Sequence, residues 1–98
     1  MIRHVVLLSW NEKVTDAAVQ AVTDGLEALP GQIPEIRSYR FGADLGTNRR
    51  NADYVLVGDF ESSADFETYV EHPAHVELMK NLTGPILGSY TAAQFELS

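Results

Sequence analysis

The chain has 98 residues, a formal net charge of −7 and no cysteine, so a single domain over residues 1–98 is expected. The negative charge argues against nucleic acid and anionic membrane surfaces as partners, because phosphate binding needs clustered Lys and Arg. The lack of cysteine excludes disulfides, thiolate metal sites and a Cys nucleophile, and it favours a reducing, cytoplasmic location.

The first half of the chain predicts a strand, a helix and a second strand. Ile2 to Trp10 is apolar on both alternating faces, as in a central strand, and is too short for a membrane span. A helix is expected from a cap at Thr15 or Asp16 to about Leu29, where Pro30-Gly31 should end it. The second strand is expected at about Glu35 to Ala43, before a polar loop long enough to cover a cavity mouth.

The second half predicts a strand, a helix broken by proline, and a last strand. Tyr54 to Phe60 is apolar on both faces and indicates another central strand. A helix capped by Ser62 or Ser63 should stop near His72, and a new one should begin at about Pro73. The last strand, Tyr90 to Glu96, alternates as a strand with one covered face does. The expected buried stripes are Phe66, Tyr69 and Val70 in the first of these helices and Val76, Leu78, Met79, Leu82 and Ile86 in the second.

This βαββαβ order is α+β and predicts four antiparallel strands with two helices on one face and the first and third strands in the centre. The other sheet face has no cover within the chain. Val5, Leu7, Val55 or Leu56, and Phe41 or Tyr39 would expose more apolar surface there than a soluble monomer usually shows. We therefore expect a homodimer formed through the helix-free sheet face.

Two of the three histidines and a tyrosine lie in the stretch Tyr69-Val70-Glu71-His72-Pro73-Ala74-His75. His75 falls in a first helical turn, where the positive end of the helix dipole favours a neutral imidazole that can act as a base. Tyr69 could donate a hydrogen bond to an enolate, and His4 could orient the base or hold a substrate hydroxyl. The structural alternatives are a helix-capping His75, a core aromatic at Tyr69 and a hydrogen-bonded core histidine at His4. His72 fits a structural role, with its ring capping carbonyls at the helix end.

Several of these segments resemble the stress-responsive dimeric α/β-barrel (Dabb) domain family. The marks are Ile2-Arg3-His4-Val5-Val6-Leu7, Pro34-Glu35-Ile36-Arg37-Ser38, Ala52-Asp53-Tyr54, and Tyr69 with His72-Pro73-Ala74-His75. The resemblance implies a ferredoxin-like monomer that pairs with its twin as a dimeric α/β barrel. Some members of the family are stress-associated, and its plant branch of olivetolic acid cyclases closes a linear polyketide by intramolecular aldol condensation. The catalytic groups of that branch match His4, Tyr69 and His75 in type and context.

Three functions remain open on the sequence. The first is a cofactor-free cyclase or lyase that acts on an enolisable, polyketide-like carbonyl compound in an apolar pocket, with His75 as base. The second is a non-catalytic, stress-associated ligand-binding or assembly protein, and the third, by fold analogy alone, is a cofactor-free monooxygenase. A metal site built from the three histidines with Asp59 is not expected, because no compact ligand spacing supports it. We therefore expect no cofactor and no metal.

Overall fold

The computed structural model describes residues 1–98 and places the strands and helices in the predicted βαββαβ order. The elements are β1 (Ile2–Trp10), α1 (Asp16–Gln32), β2 (Ser38–Ala43), β3 (Tyr54–Phe60), α2 (Ser63–Glu71), α3 (Pro73–Leu78), a π-helical segment (Met79–Thr83), a 3₁₀ turn (Gly84–Ile86) and β4 (Leu87–Glu96). None of the helices combines the length and apolar composition needed to cross a membrane.

The four strands form one antiparallel sheet in the order β2-β3-β1-β4, so β1 and β3 are central, as predicted. The pairing places Tyr39, Gly58, His4 and Gln94 in one row across the four strands. This row faces the helices. A β-carbon on Gly58 would lie 3.2 Å from ring atoms of Tyr39, so the glycine lets that aromatic ring lie close over the sheet.

The hydrophobic core lies between this sheet face and the helices. Its α1 side consists of Val22, Leu26 and Leu29, whose spacing of three to four residues puts them on one face of the helix. Gly25 allows α3 to approach α1 closely, because a β-carbon there would collide with Leu78 Cδ1. Because Gly25 has no side chain, α3, which follows the His72-Pro73 break, can pack directly against α1.

Two element boundaries differ from the prediction, and burial explains both. Pro30 does not end α1, which continues to Gln32 and closes with the Ile33 amide donating to the Leu29 carbonyl at 2.8 Å. Leu29 and Ile33 are both buried, so packing holds a last turn that proline weakens by one hydrogen bond. β2 begins at Ser38 rather than Glu35, because a turn before it directs Ile36 into the core.

The predicted apolar stripe of the last helical region is wrong in part. Val76 is 49% exposed and Leu82 is exposed as well, whereas Thr83 is buried. The backbone widens after α3 into a π-helix, in which the Gly84 amide pairs with the Met79 carbonyl five residues earlier. Residues five apart then share a face, so Leu78 and Thr83 point inward together.

The prediction for the last strand also needs correction. β4 begins at Leu87, three residues before the predicted start, and most of it is exposed on both faces rather than covered on one. It is an edge strand beyond the reach of the helices. Val70 of α2, which was expected in the core, is likewise exposed. Between β4 and the helical layer lies the cavity described next.

Candidate active site

A cavity of about 390 Å³ opens between β1, β4 and the helical segments from α2 to Gly84. His4, Tyr69 and His75 all line it, so the fold brings the three sequence candidates together. The volume exceeds the roughly 300 Å³ that a small-molecule site needs. A smaller inner compartment of about 50 Å³ continues toward the core, and the same three residues border it. The apolar lining of the main cavity includes Val6, Leu8, Val70, Met79, Leu87 and Ala92.

His4 reaches the cavity from the helix-facing side of β1, with Val6 and Leu8. The Gln94 amide nitrogen donates a hydrogen bond to His4 Nδ1 at 2.9 Å. In a neutral ring the hydrogen is then on Nε2, which makes His4 a donor. Burial, with a smaller effect from the nearby His75, lowers the pKa of His4 to about 4. His4 is therefore neutral at pH 7.

Tyr69 projects inward from α2 and is 1% exposed. Its ring centroid lies 4.4 Å from that of His75 and 6.1 Å from that of His4. The Tyr69 hydroxyl is hydrogen-bonded to the Tyr39 hydroxyl at 2.6 Å. Burial raises the pKa of Tyr69 to about 12, although the bond to Tyr39 lowers it. Tyr69 stays protonated at neutral pH and can donate, but not act as a base.

His75 comes from the first turn of α3, and its Nδ1 lies 3.1 Å from the carbonyl oxygen of Val70 at the end of α2. A carbonyl only accepts, so the ring hydrogen is on Nδ1 and the neutral ring has a free lone pair on Nε2. Burial lowers the pKa of His75 more than the Val70 bond raises it, and His72 lowers it further. The lowered pKa keeps His75 neutral at pH 7, with burial as its main cause, and the role of His75 as a base stays a prediction.

His72 has the structural position expected of it but caps the other helix. Its Nδ1 accepts a hydrogen bond from the Ala74 amide at 3.1 Å, so it caps the start of α3 and not the carbonyls that end α2. The first amides of a helix have no partner within that helix, and an imidazole acceptor satisfies one of them. His72 does not line the cavity.

Two features weighed in the sequence, Asp59 and the loop after β2, lie away from this cavity. Asp59, considered with the histidines as a ligand, lies on the helix-free face, where Arg3 holds its carboxylate at 2.8 and 2.9 Å. The Arg3 hydrogen bond lowers the pKa of Asp59. No group of three or more His, Cys, Asp or Glu side chains is placed to hold a metal ion.

The loop after β2, which is long enough to cover a cavity mouth, does not cover this one. It borders a different groove, in which Arg50 and Asn51 lie near Leu7 and Val55.

Sequence reasoning missed three polar residues of the site: Tyr39, Gln94 and Thr83. The expectation that Phe41 or Tyr39 lies on the helix-free face is wrong, because Tyr39 bonds Tyr69 of α2 and Phe41 packs against the core. The strand register brings Tyr39 and Gln94 beside Tyr69 and His4. Thr83 gave no signal, because the π-helix turns inward a residue that α-helical spacing places elsewhere.

Residues 2–97 match the stress responsive A/B barrel domain family. The chain belongs to this family. A dimeric ferredoxin-like protein of unknown function from Thermobifida fusca is 40% identical, with a TM-score of 0.91 over 98% of this chain and 90% of that one. The stress-response A/B barrel domain-containing protein HS1 of Arabidopsis thaliana is 25% identical over 87 residues, which are 87% of this chain and 80% of HS1.

An enzyme is among the stress responsive A/B barrel relatives. Olivetolic acid cyclase of Cannabis sativa is 25% identical over 77 residues, which are 76% of each chain. A hydroxynitrile lyase from Passiflora edulis shares the fold, with a TM-score of 0.86 and 20% identity over 99% of this chain and 93% of that one. The fold therefore accompanies more than one chemistry, and the function has to be argued from the site.

Proposed function

We propose that this protein is a cofactor-free cyclase or lyase that acts on an enolisable, polyketide-like carbonyl compound bound in the cavity. The observation that carries the proposal is the meeting of one neutral base with two proton donors in a largely apolar cavity. Apolar walls strengthen hydrogen bonds to developing charge, because they screen charge less than water does. The likeness to olivetolic acid cyclase supports the same class of substrate.

His75 is the base in this proposal. Its Nε2 lone pair takes a proton from the carbon beside a carbonyl group, the C–H bond breaks, and the electron pair moves to the carbonyl oxygen to give an enolate. In a cyclase, the enolate carbon then attacks a second carbonyl of the same molecule and a C–C bond forms. The new alkoxide takes back the proton that His75 holds, so the enzyme ends in its starting state.

Tyr69 and His4 are the donors to the oxygen that becomes negative. Tyr39 does not line the cavity, and in this proposal it donates to Tyr69, so that the Tyr69 hydrogen is directed at the substrate. Gln94 holds His4 with its Nε2–H free for a second hydrogen bond. Removal of one such donor in other enzymes costs about 10²–10³ in rate.

The active protein is proposed to be a homodimer joined by the helix-free sheet faces. Leu7 is 43% exposed at the centre of that face, and Phe95 and the half-buried Val5 and Val57 lie on the same side. The 40%-identical Thermobifida protein is described as dimeric. Joining two such faces would bury apolar side chains that a lone protomer leaves in water.

A deuterium-exchange experiment tests the chemistry without knowledge of the natural substrate. Methyl 3,5-dioxohexanoate is incubated with the protein in deuterated buffer, and deuterium at its terminal methyl group is followed by NMR. We expect the wild-type protein to accelerate this exchange, the His75→Ala variant to lose 10²–10⁴-fold of the acceleration, and Tyr69→Phe to lose less.

His72→Asn is the matched control, because it removes an imidazole three residues away and asparagine keeps the helix cap. It should exchange like the wild type. Equal exchange by the wild type and His75→Ala would end the enzyme proposal. Binding of the compound without accelerated exchange would instead favour the non-catalytic ligand-binding protein.

A further inference from the structure

The Thr83 hydroxyl is a buried polar group without a hydrogen-bond partner in the protein. Thr83 is 1% exposed, and its Oγ1 is the one buried side-chain nitrogen or oxygen that lacks a partner. Folded proteins pair nearly all such groups, because burying an unpaired hydroxyl costs stability. A group of this kind therefore calls for an explanation in terms of what it binds.

The π-helix explains how the hydroxyl stays unpaired. A helical threonine commonly satisfies itself by bonding the carbonyl four residues earlier, and Thr68 in α2 does so with the Ala64 oxygen at 3.1 Å. For Thr83 the corresponding carbonyl is that of Met79, but the helix is widened here and this carbonyl bonds the amide of Gly84, five residues later, in the π-helical pattern. The widened turn thus directs Thr83 inward without a bond to its own backbone.

Thr83 borders both the main cavity and the inner compartment, together with His4, Tyr69 and His75. It comes from a different backbone segment than those three residues. Most of the remaining lining is apolar, and the other hydroxyl there, that of Tyr90, belongs to a residue 63% exposed on β4. Apart from His4, Tyr69 and His75, Thr83 is therefore the one buried side chain of the lining that can form a hydrogen bond with a ligand oxygen.

We propose that Thr83 is a ligand-binding residue that recognises a second oxygen of the bound molecule. The cavity would then select a carbonyl compound with two oxygens over a monoketone of the same shape. This inference rests on the proposed function only in placing the ligand in this cavity, since it concerns binding and not proton transfer.

The test compares two probes that differ by one carbonyl, 1-phenylbutane-1,3-dione and butyrophenone. Their dissociation constants are measured by calorimetry for the wild type, for Thr83→Val, which has nearly the same shape without the hydroxyl, and for Thr83→Ser, which keeps the hydroxyl. We expect Thr83→Val to weaken binding of the dione about 3- to 10-fold, the effect of one neutral hydrogen bond, and to leave butyrophenone binding unchanged. Thr83→Ser should keep the preference for the dione.

A melting curve of the ligand-free protein completes the test. Thr83→Val should melt at the same temperature as the wild type or higher, because it removes an unpaired buried hydroxyl. Equal effects of Thr83→Val on the two probes, or no effect on either, would overturn the proposal and leave a structural water as the partner of Thr83. Because the readout is binding, it can fail while deuterium exchange succeeds, and the reverse also holds.

Discussion

At the scale of single residues, the two cavity histidines present opposite hydrogen-bonding groups although both are neutral. The Gln94 amide makes His4 a donor through Nε2, and the Val70 carbonyl makes His75 an acceptor through Nε2. Burial is the main cause of the lowered pKa of each ring. The hydrogen-bond partner at Nδ1 therefore decides whether each histidine is a donor or an acceptor at Nε2.

The lowered pKa of His4 predicts that acid destabilises the protein over a defined range. The unfolded chain binds a proton at His4 below about pH 6.5, whereas the folded chain resists it until about pH 4. The contribution of neutral His4 to the free energy of unfolding is therefore fully present above pH 6.5 and is lost as the pH falls toward 4. We expect the melting temperature of the wild type to fall more steeply over this range than that of His4→Gln. Parallel curves would contradict the prediction.

Gln94 is predicted to set the protonation of His4. In Gln94→Glu, a carboxylate beside Nδ1 should hold a proton there and raise the pKa of His4 above its value of about 4 in the wild type. Gln94→Met has similar length, removes the hydrogen bond that stabilises the neutral ring and adds no charge, so it should raise the pKa of His4 less than Gln94→Glu does. NMR titration of the His4 ring measures all three proteins, and a shared midpoint would exclude a role for the Gln94 side chain.

At the scale of elements, the π-helical segment decides which side chains of the last helical region line the cavity. Its closing bond requires Gly84, because a β-carbon there would lie 2.8 Å from the Met79 carbonyl oxygen. The conformation is not special in itself, since the Gly84 φ is −52°. Close contact between two backbone segments is therefore the reason for glycine at this position.

Two glycine-to-alanine changes should have opposite effects. Gly84→Ala should destabilise the protein by about 1–3 kcal/mol, the usual cost of forcing atoms into a packed site. Gly31→Ala, in the last turn of α1 where nothing lies within 4 Å of the new methyl group, should be neutral or stabilising by up to about 1 kcal/mol. Urea unfolding measures both variants. Similar free energies of unfolding for the two would show that the Met79 contact is unimportant.

At the scale of the whole molecule, the helix-free sheet face should decide the oligomeric state. Leu7→Asp places a charge at the centre of the proposed interface, so the variant should sediment as a monomer at micromolar concentration. Val76→Asp adds the same charge at a similarly exposed site on α3 and should remain dimeric. A monomeric wild type, or a dimeric Leu7→Asp, would contradict this interface.

The sequence alone was sufficient for the order and type of the elements. β1 and β3 match their predicted bounds because apolar runs on both faces are strong local signals, and Ser62 and Thr15 cap the helices that follow them. His4, Tyr69 and His75 could be singled out by residue type and by the Pro73 break. Their catalytic role stays a prediction.

Only the tertiary structure determined which distant side chains meet and which residues are buried. The Tyr39–Tyr69 and His4–Gln94 contacts join residues 30 and 90 positions apart, and they depend on strand register and on how α2 lies over the sheet. Burial overrode Pro30 at the end of α1, and a widened turn exchanged Leu82 for Thr83 on the inner face. These outcomes are set by packing between distant segments, which contributes more free energy than the local preferences that a sequence displays.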